Sequence, residues 1–169
     1  MNIRAEKWED EEEIYQLNQL AFKGDEESKL IDKLRATHAF IPELSLIAEK
    51  QSIIVGHILF SHIHIVGKKE WPSLALAPMS VLPAYQQKGI GTALVQEGLK
   101  RARAMGFPSV FVLGHKDYYP RFGFSKASKW SVKCPLDVPD ETFMAMELFP
   151  AALEGKSGTL QYSKAFGIK

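Results

Sequence analysis

The order of predicted elements along the 169-residue chain indicates an α/β layered domain, in which helices flank a mixed, largely antiparallel sheet. Two observations predict this class. An apolar strand over Leu74–Leu82 passes through a short glycine turn into an amphipathic helix that stops at Gly106. Strand-like apolar runs lie on both sides of this segment, and two helical patterns precede it. With 46% apolar residues and no linker, residues 1–169 are predicted to form a single domain.

Each further element has its own signal in the sequence. A first strand is predicted at 2–7, and two helices with apolar stripes follow it. Turn residues separate the remaining apolar runs, and these are predicted as strands over Leu44–Glu49, Ile53–Val66, Ser109–Gly114 and Thr142–Phe149, with a short edge strand over Thr159–Tyr162. The residues between Phe124 and Thr142 are predicted to form loops.

The central helix has one apolar stripe, which consists of Gly91, Leu94, Val95, Gly98, Leu99, Ala102 and Met105. Glycine inside a helix costs about 1 kcal/mol relative to alanine. Gly98 therefore predicts that the helix lies very close to a sheet at this point. In the strand before the helix, Pro78 cannot donate a ladder hydrogen bond, so an irregularity is expected there.

The turn between strand and helix has the composition of an anion site. The first N–H groups of a helix lack partners, and the helix dipole is positive at this end. Gly89 and Gly91 carry no Cβ atoms that would keep a bulky anion away from these groups, which predicts a phosphate or pyrophosphate site. A P-loop is excluded because Lys88 precedes both glycines, and the G-x-G-x-x-G dinucleotide pattern is absent.

The pattern that does fit is Q-x-x-G-x-G after a proline-containing strand, beginning at Gln86. It resembles the acetyl-CoA-binding segment of the GNAT superfamily of N-acetyltransferases. The resemblance implies acetyl-CoA as acyl donor, with its thioester arm between the strands at Leu74 and Ser109. The residues that it assigns to this cofactor are Met79, Val81, Gln86, Gln87, Lys88, Gly89, Ile90, Gly91 and Thr92.

A second motif, D-Y-Y-P-R-F-G-F, begins at Asp117. It is similar to the GNAT motif in which a tyrosine stands four residues before a Gly-Phe pair, and Tyr119 holds that position relative to Gly123. The variant Y-Y-x-R-F-G-F resembles one small bacterial subfamily whose chains also end in a G-T-x-x-Y segment, here at Gly158. The resemblance implies transfer of an acetyl group to a primary amine of a small molecule or a protein, with Tyr119 as proton donor to the leaving thiolate.

The base that deprotonates the amine is less clearly marked. His115 stands at the end of a predicted strand and is one candidate, and a water relay is the other. A backbone N–H at Val81 is the candidate for stabilising the carbonyl oxygen. Two further functions remain open at this stage: a module that binds acyl-CoA without turnover, and a transferase that uses a longer acyl donor.

Composition limits the possible partners. The net charge of +1 has no basic cluster, so neither nucleic acid nor a membrane surface is an expected partner. The lone Cys134 and the lack of an apolar signal core predict a cytoplasmic protein. His62 and His64 share one strand face, but no third ligand is evident and no metal site is predicted. The sequence leaves open whether the chain forms a homodimer.

Overall fold

The computed structural model describes residues 1–168 and confirms the predicted fold class. The helices are α1 (Glu11–Phe22), α2 (Glu26–Arg35) and α3 (Ile90–Ala104). The strands are β1 (Asn2–Ala5), β2 (Phe40–Lys50), β3 (Ile53–Val66), β4 (Glu70–Val81), β5 (Ser109–Leu113), β6 (Ser125–Lys126), β7 (Val132–Lys133), β8 (Phe143–Glu147) and β9 (Gly158–Gln161). Short 3-10 helices fill several connections, and one of them, Tyr119–Phe122, carries the tyrosine of the second motif.

The nine strands belong to one sheet with the order β1-β2-β3-β4-β5-β8-β6, and β9 pairs with both β3 and β7. Most strand pairings among residues 1–168 are antiparallel, including the β2–β3 hairpin. The exceptions are β4 with β5, where Leu74 faces Val110, and β7 with β9. A parallel pair needs a crossover connection, and α3 lies in the crossover between β4 and β5.

Two compact units make up the chain. The first consists of Met1–Ser61 and Ala77–Arg101, and the second of His62–Leu76 and the chain from Ala102 onward. The glycine turn at residues 86–91 and the start of α3 lie in the first unit. The D-Y-Y-P-R-F-G-F motif, which begins at Asp117, lies in the second. Strands β3 and β4 contribute to both units because the division falls within them.

In the first unit, the predicted close approach of α3 to the sheet is confirmed at Gly98. A Cβ atom built at Gly98 would overlap the ring of Phe60 on β3, which is itself fully buried. The rest of the predicted stripe is buried or half-buried except for Met105, which is 43% exposed. That part of the prediction was wrong because α3 ends at Ala104, before Met105 completes the stripe.

A polar network is buried in the same unit. Arg35 Nε donates to Glu6 Oε2 at 2.9 Å, and the Ser45 hydroxyl donates to Glu6 Oε1. His57 Nε2 lies 2.9 Å from Ser45 Oγ and 3.5 Å from Glu6 Oε1. Side-chain exposure is only 6% for Glu6 and 11% for Arg35, and none of His57 is exposed. The network links the segment after β1 to α2, β2 and β3.

The second unit has its own apolar cluster, built from buried side chains of several strands: Ile63, Ile65, Ala75, Phe111, Ala127, Val132, Phe143, Ala145, Leu153 and Leu160. Two predictions in this unit were wrong. The segment after Phe124 is not all loop, since it contains β6 and β7. Strand β9 is not an edge strand, because it pairs with β3 on one side and with β7 on the other. Strands of two residues are too short to leave a periodic signal.

Strand β4 is continuous through the position of Pro78, and the Ala77–Pro78 peptide bond is cis. No helix among residues 1–168 is both long enough and apolar enough to cross a membrane.

Candidate functional site

The turn before α3 places Gly89 in a conformation that favours glycine. Its φ is +84°, and no heavy atom lies within 4 Å of a Cβ atom built on it. Its carbonyl accepts a hydrogen bond from Ala93 N at 3.0 Å, the first i to i+4 bond of α3. Space for an anion is therefore open at Gly89, directly before the N–H groups of the first helical turn.

The side chains of this turn are tied to neighbouring residues. Gln86 Nε2 donates to the carbonyl of Val81 at 3.0 Å and so fixes the turn to the end of β4. Lys88 Nζ lies 5.6 Å from the centre of the Tyr85 ring. Lys50 Nζ, at the end of β2, lies 6.0 Å from the same ring and adds a second positive charge beside the turn. Sequence reasoning missed Lys50 because it is 38 residues away from Lys88 along the chain.

The other residues assigned to the cofactor differ in what they can offer. Met79 and Val81 are half-buried on β4, and Ser80 between them is buried. Ile90 is only 6% exposed, and its Cγ2 lies 3.0 Å from a Cβ built at Gly56, so its side chain belongs to the core. Its backbone is the part of this residue that can contribute to an anion site.

In the second unit, the Tyr119 side chain is held in an aromatic group. Its ring makes edge contacts with Tyr118, at 5.1 Å between ring centres, and with Phe124, at 5.7 Å. Tyr119 is 8% exposed. Burial, with a smaller contribution from Tyr118, raises the pKa of the Tyr119 phenol to about 12. The hydroxyl therefore keeps its proton across the neutral pH range.

His115 lies immediately before this aromatic group, in the connection after β5. Its carbonyl accepts hydrogen bonds from Tyr118 N at 3.1 Å and from Tyr119 N at 3.4 Å. The His115 side chain is exposed and lines a cleft of about 460 Å³ together with Asp117, Glu141 and Thr142. The structure thus joins the two predicted catalytic residues through their backbones and opens His115 to solvent.

His62 and His64, which share one face of β3, are engaged separately. His62 packs on the ring of Phe107, with 5.5 Å between ring centres, and burial lowers the pKa of its imidazole. His64 Nδ1 lies 3.8 Å from Glu70 Oε1. Among residues 1–168, no three His, Cys, Asp or Glu side chains come close enough together to hold a metal ion.

The predicted site residues thus fall into two groups. All of those assigned to the acyl donor lie on β4, the turn after it and the start of α3, within the first unit. Tyr119 and His115 both lie in the second unit, between β5 and β6.

Residues 11–124 match the model of the acetyltransferase (GNAT) family, a span that includes both motifs up to Phe124. Among individual proteins, the chain is similar to an uncharacterized N-acetyltransferase of Escherichia coli K12, YjhQ, with 37% identity over 134 residues. That match covers 78% of this chain and 74% of YjhQ. A second E. coli N-acetyltransferase, YhbS, is 31% identical over 168 residues and is covered to 98% in both chains.

Two solved structures resemble the chain over nearly its whole length. The crystal structure of YhbS from E. coli in complex with CoA has a TM-score of 0.91 and 29% identity, covering 98% of this chain and 91% of that one. A GNAT family acetyltransferase from Brucella melitensis, in complex with acetyl-CoA, has a TM-score of 0.80 and 34% identity, covering 98% and 97%.

Proposed function

The chain belongs to the GNAT acetyltransferase family, and we propose that it transfers the acetyl group of acetyl-CoA to a primary amine of a small molecule or a protein. The amine nitrogen attacks the thioester carbon, the carbon–sulfur bond breaks, and the products are an acetylated amine and CoA. The observation that carries this proposal is the open, left-handed turn at Gly89 before α3. The two relatives whose structures contain CoA or acetyl-CoA support it.

A panel of amines tests this function directly. The purified protein is incubated with acetyl-CoA and, in turn, small mono- and diamines, amino acids and lysine-containing peptides, and free CoA is measured with a thiol reagent. We expect amine-dependent release of CoA and an acetylated product by mass spectrometry. Binding of acetyl-CoA by calorimetry without release on any amine would instead support an acyl-CoA-binding module. Faster release from a longer acyl-CoA would support the alternative donor.

Acetyl-CoA itself is proposed to bind at the turn before α3. The backbone N–H groups of residues 89–92 donate hydrogen bonds to the pyrophosphate, because the N–H groups of the first turn lack partners and the helix dipole favours an anion there. Lys88 adds a positive charge from the Tyr85 side of the turn. Gln86 acts indirectly by holding the turn against Val81. Met79 and Val81 are proposed to contact the thioester arm, and the Val81 N–H to stabilise the developing oxyanion.

Gly89→Ala is expected to weaken acetyl-CoA binding more than tenfold, or by more than about 1.4 kcal/mol. Its φ of +84° strains any side chain, and the added Cβ projects into the open space of the proposed pyrophosphate site. Gly106→Ala is a matched control, because its φ is +87° and no heavy atom lies within 4 Å of a Cβ there either. Both variants carry similar strain, so calorimetry should show weakened binding in Gly89→Ala alone. Equal acetyl-CoA affinities in the two variants would show that the pyrophosphate does not bind at Gly89.

The acceptor must lose a proton to react. A lysine-like amine with a pKa of about 10.4 is neutral in roughly one molecule in a thousand near pH 7.4, which corresponds to about 4 kcal/mol. We propose that either His115 or a water molecule takes this proton. His115 has the exposure and the cleft position that a base needs. Water remains the simpler route, because His115 has no carboxylate partner within 4.0 Å among residues 1–168 to orient its ring.

Tyr119 is proposed to protonate the departing sulfur. A thiol in water has a pKa near 8.5, so full proton transfer from a phenol with a pKa of about 12 is uphill by roughly 5 kcal/mol. A desolvated thiolate is a stronger base and reduces this difference. Tyr119 thus works best as a hydrogen-bond donor whose proton moves only as the carbon–sulfur bond breaks. The same burial that raises its pKa to about 12 keeps the donor protonated across the neutral pH range.

Three further proposals concern the domain organisation, the cellular location and the oligomeric state. We place all of residues 1–169 in one acetyltransferase domain and expect it to act in the cytoplasm, where a lone free thiol such as Cys134 remains reduced. A homodimer is a further proposal that sedimentation of the purified chain would decide.

A further inference from the structure

Gly114, the residue directly after β5, has no side chain at the place where the Tyr119 ring packs. A Cβ atom built at Gly114 would lie 2.5 Å from Tyr119 Cε2 and 3.1 Å from Cδ2. Carbon atoms in contact normally stand about 3.5–4.0 Å apart. The Tyr119 ring therefore occupies the space that a side chain at 114 would fill. The φ of Gly114 is outside the left-handed region, so this contact, and not the backbone conformation, requires glycine.

The ring is in contact with neighbouring rings on other sides as well. Tyr118 and Phe124 meet it edge-on, and Phe124 is itself only 3% exposed. The backbone of Gly114 is also fixed, because its N–H donates to the carbonyl of Thr142 at 2.9 Å. A side chain at 114 would thus displace the phenol and not the strand.

We propose that Gly114 is a positioning residue, whose missing side chain fixes where the hydroxyl of Tyr119 is held. This inference rests on the proposed role of Tyr119 as proton donor. An added methyl group requires the ring to move by about 1 Å to restore normal contact distances. Displacements of that size in a reacting geometry reduce rates by about 100-fold. Neither motif includes Gly114, so its role is visible only in the folded chain.

The test compares the full-length wild type with Gly114→Ala, Tyr119→Phe and the double variant. Gly24→Ala is the control, because no heavy atom lies within 4 Å of a Cβ at Gly24 and its φ is also outside the left-handed region. Turnover is measured with acetyl-CoA and the best amine of the panel. The ring resonances of isotope-labelled tyrosines are recorded by NMR, and that of Tyr119 is assigned by its loss in Tyr119→Phe.

Gly114→Ala is expected to shift the Tyr119 resonance and to lower kcat at least tenfold, while Gly24→Ala does neither. In the Tyr119→Phe background, Gly114→Ala should change kcat less than twofold. The phenylalanine ring meets the same methyl group but has no hydroxyl to misplace. Purely structural damage would instead lower kcat by the same factor in both backgrounds.

An unmoved Tyr119 resonance, or equal losses of kcat in the two backgrounds, would overturn the inference. If Gly114→Ala does not fold, Gly114→Ala combined with Tyr119→Leu decides, because leucine lacks the ring edge that the methyl group meets. That double variant is expected to fold, and an unfolded one would contradict the steric argument. A slow Tyr119→Phe with a fast Gly114→Ala overturns this inference alone, whereas wild-type turnover in Tyr119→Phe overturns the acid role as well.

Discussion

Replacing Tyr119 by phenylalanine is expected to lower turnover at least tenfold while acetyl-CoA affinity changes little. The substitution keeps the edge contacts with Tyr118 and Phe124 and removes only the hydroxyl. Assistance by a general acid is typically worth about 10²–10⁴-fold in rate. Steady-state kinetics with a saturating amine measures kcat, and calorimetry measures the affinity for acetyl-CoA.

Tyr162→Phe is the matched control for this experiment. Tyr162 is a second tyrosine of the same unit whose phenol pKa is raised by burial, and it packs on Phe166 with 5.2 Å between ring centres. Loss of its hydroxyl should leave kcat within about twofold of the wild type. A Tyr119→Phe variant that turns over its best amine at the wild-type rate would return Tyr119 to a packing role.

The choice of amine serves as an internal check on the same variant. An α-amine with a pKa near 8 needs under about 1 kcal/mol to become neutral at pH 7.4, against about 4 kcal/mol for a lysine-like amine. Loss of a proton donor to sulfur acts on the leaving group and not on the nucleophile. The fold-loss caused by Tyr119→Phe should therefore be similar for both kinds of amine. A loss confined to lysine-like acceptors would indicate that Tyr119 acts on the amine.

Short-range signals of the sequence predict the parts of the fold that they govern. The strand, the glycine turn and α3 lie within about thirty consecutive residues, and the structure has all three in that order. The close contact between Gly98 and Phe60 is predictable, because a glycine inside a helix lowers helix stability and close packing explains why it is there. The β2–β3 hairpin was visible because turn residues separate two long apolar runs.

What the sequence does not predict depends on contacts between distant residues. Gly114 looks like an ordinary strand terminator until the ring of Tyr119 is seen against it. Lys50 and Lys88 meet at Tyr85 only after the hairpin and the turn are both formed. Strand β9 seemed to be an edge strand because its two partners lie far from it in the chain. Pairing of this kind leaves no local pattern.

The buried network around Glu6 leaves no pattern in the sequence, and its hydrogen bonds determine which nitrogen of His57 carries the proton. Ser45 donates its hydroxyl proton to Glu6, so its oxygen can only accept from His57 Nε2. Nε2 then carries the proton in the neutral ring. Nδ1 is buried with no hydrogen-bond partner among residues 1–168. A second proton there would be a buried, unsatisfied donor, in agreement with the lowering of the His57 pKa by burial.

Glu6→Gln is expected to destabilise the fold by about 1–3 kcal/mol, the usual cost of leaving buried donors without their acceptor. The substitution keeps the shape of the side chain but removes the buried carboxylate from the Arg35 guanidinium, which keeps only its ion pairs with the more exposed Asp32 and Glu11. Glu97→Gln is the control, because the Glu97–Arg101 pair lies one turn apart on α3 with about a third of each side chain exposed. Such a pair contributes under about 1 kcal/mol. Urea unfolding of both variants at pH 7.5 measures the difference, and similar losses would contradict a special role for the network.

The pH dependence of the free energy of unfolding, measured for the wild type and Glu6→Gln, is an independent test of the network. The pKa of His57 is lowered mainly by burial, and that of Glu6 is lowered because hydrogen bonds from His57, Ser45 and Arg35 outweigh its burial. Both shifts make the unfolded chain bind more protons in acid, so the free energy of unfolding must fall as the pH falls. The contribution of His57 is complete above about pH 6.5 and is lost below it. That of Glu6 is lost below about pH 4.5 and should be absent from Glu6→Gln. A wild-type stability that stays flat from pH 7.5 to 4 would show that His57 is not held neutral inside the protein.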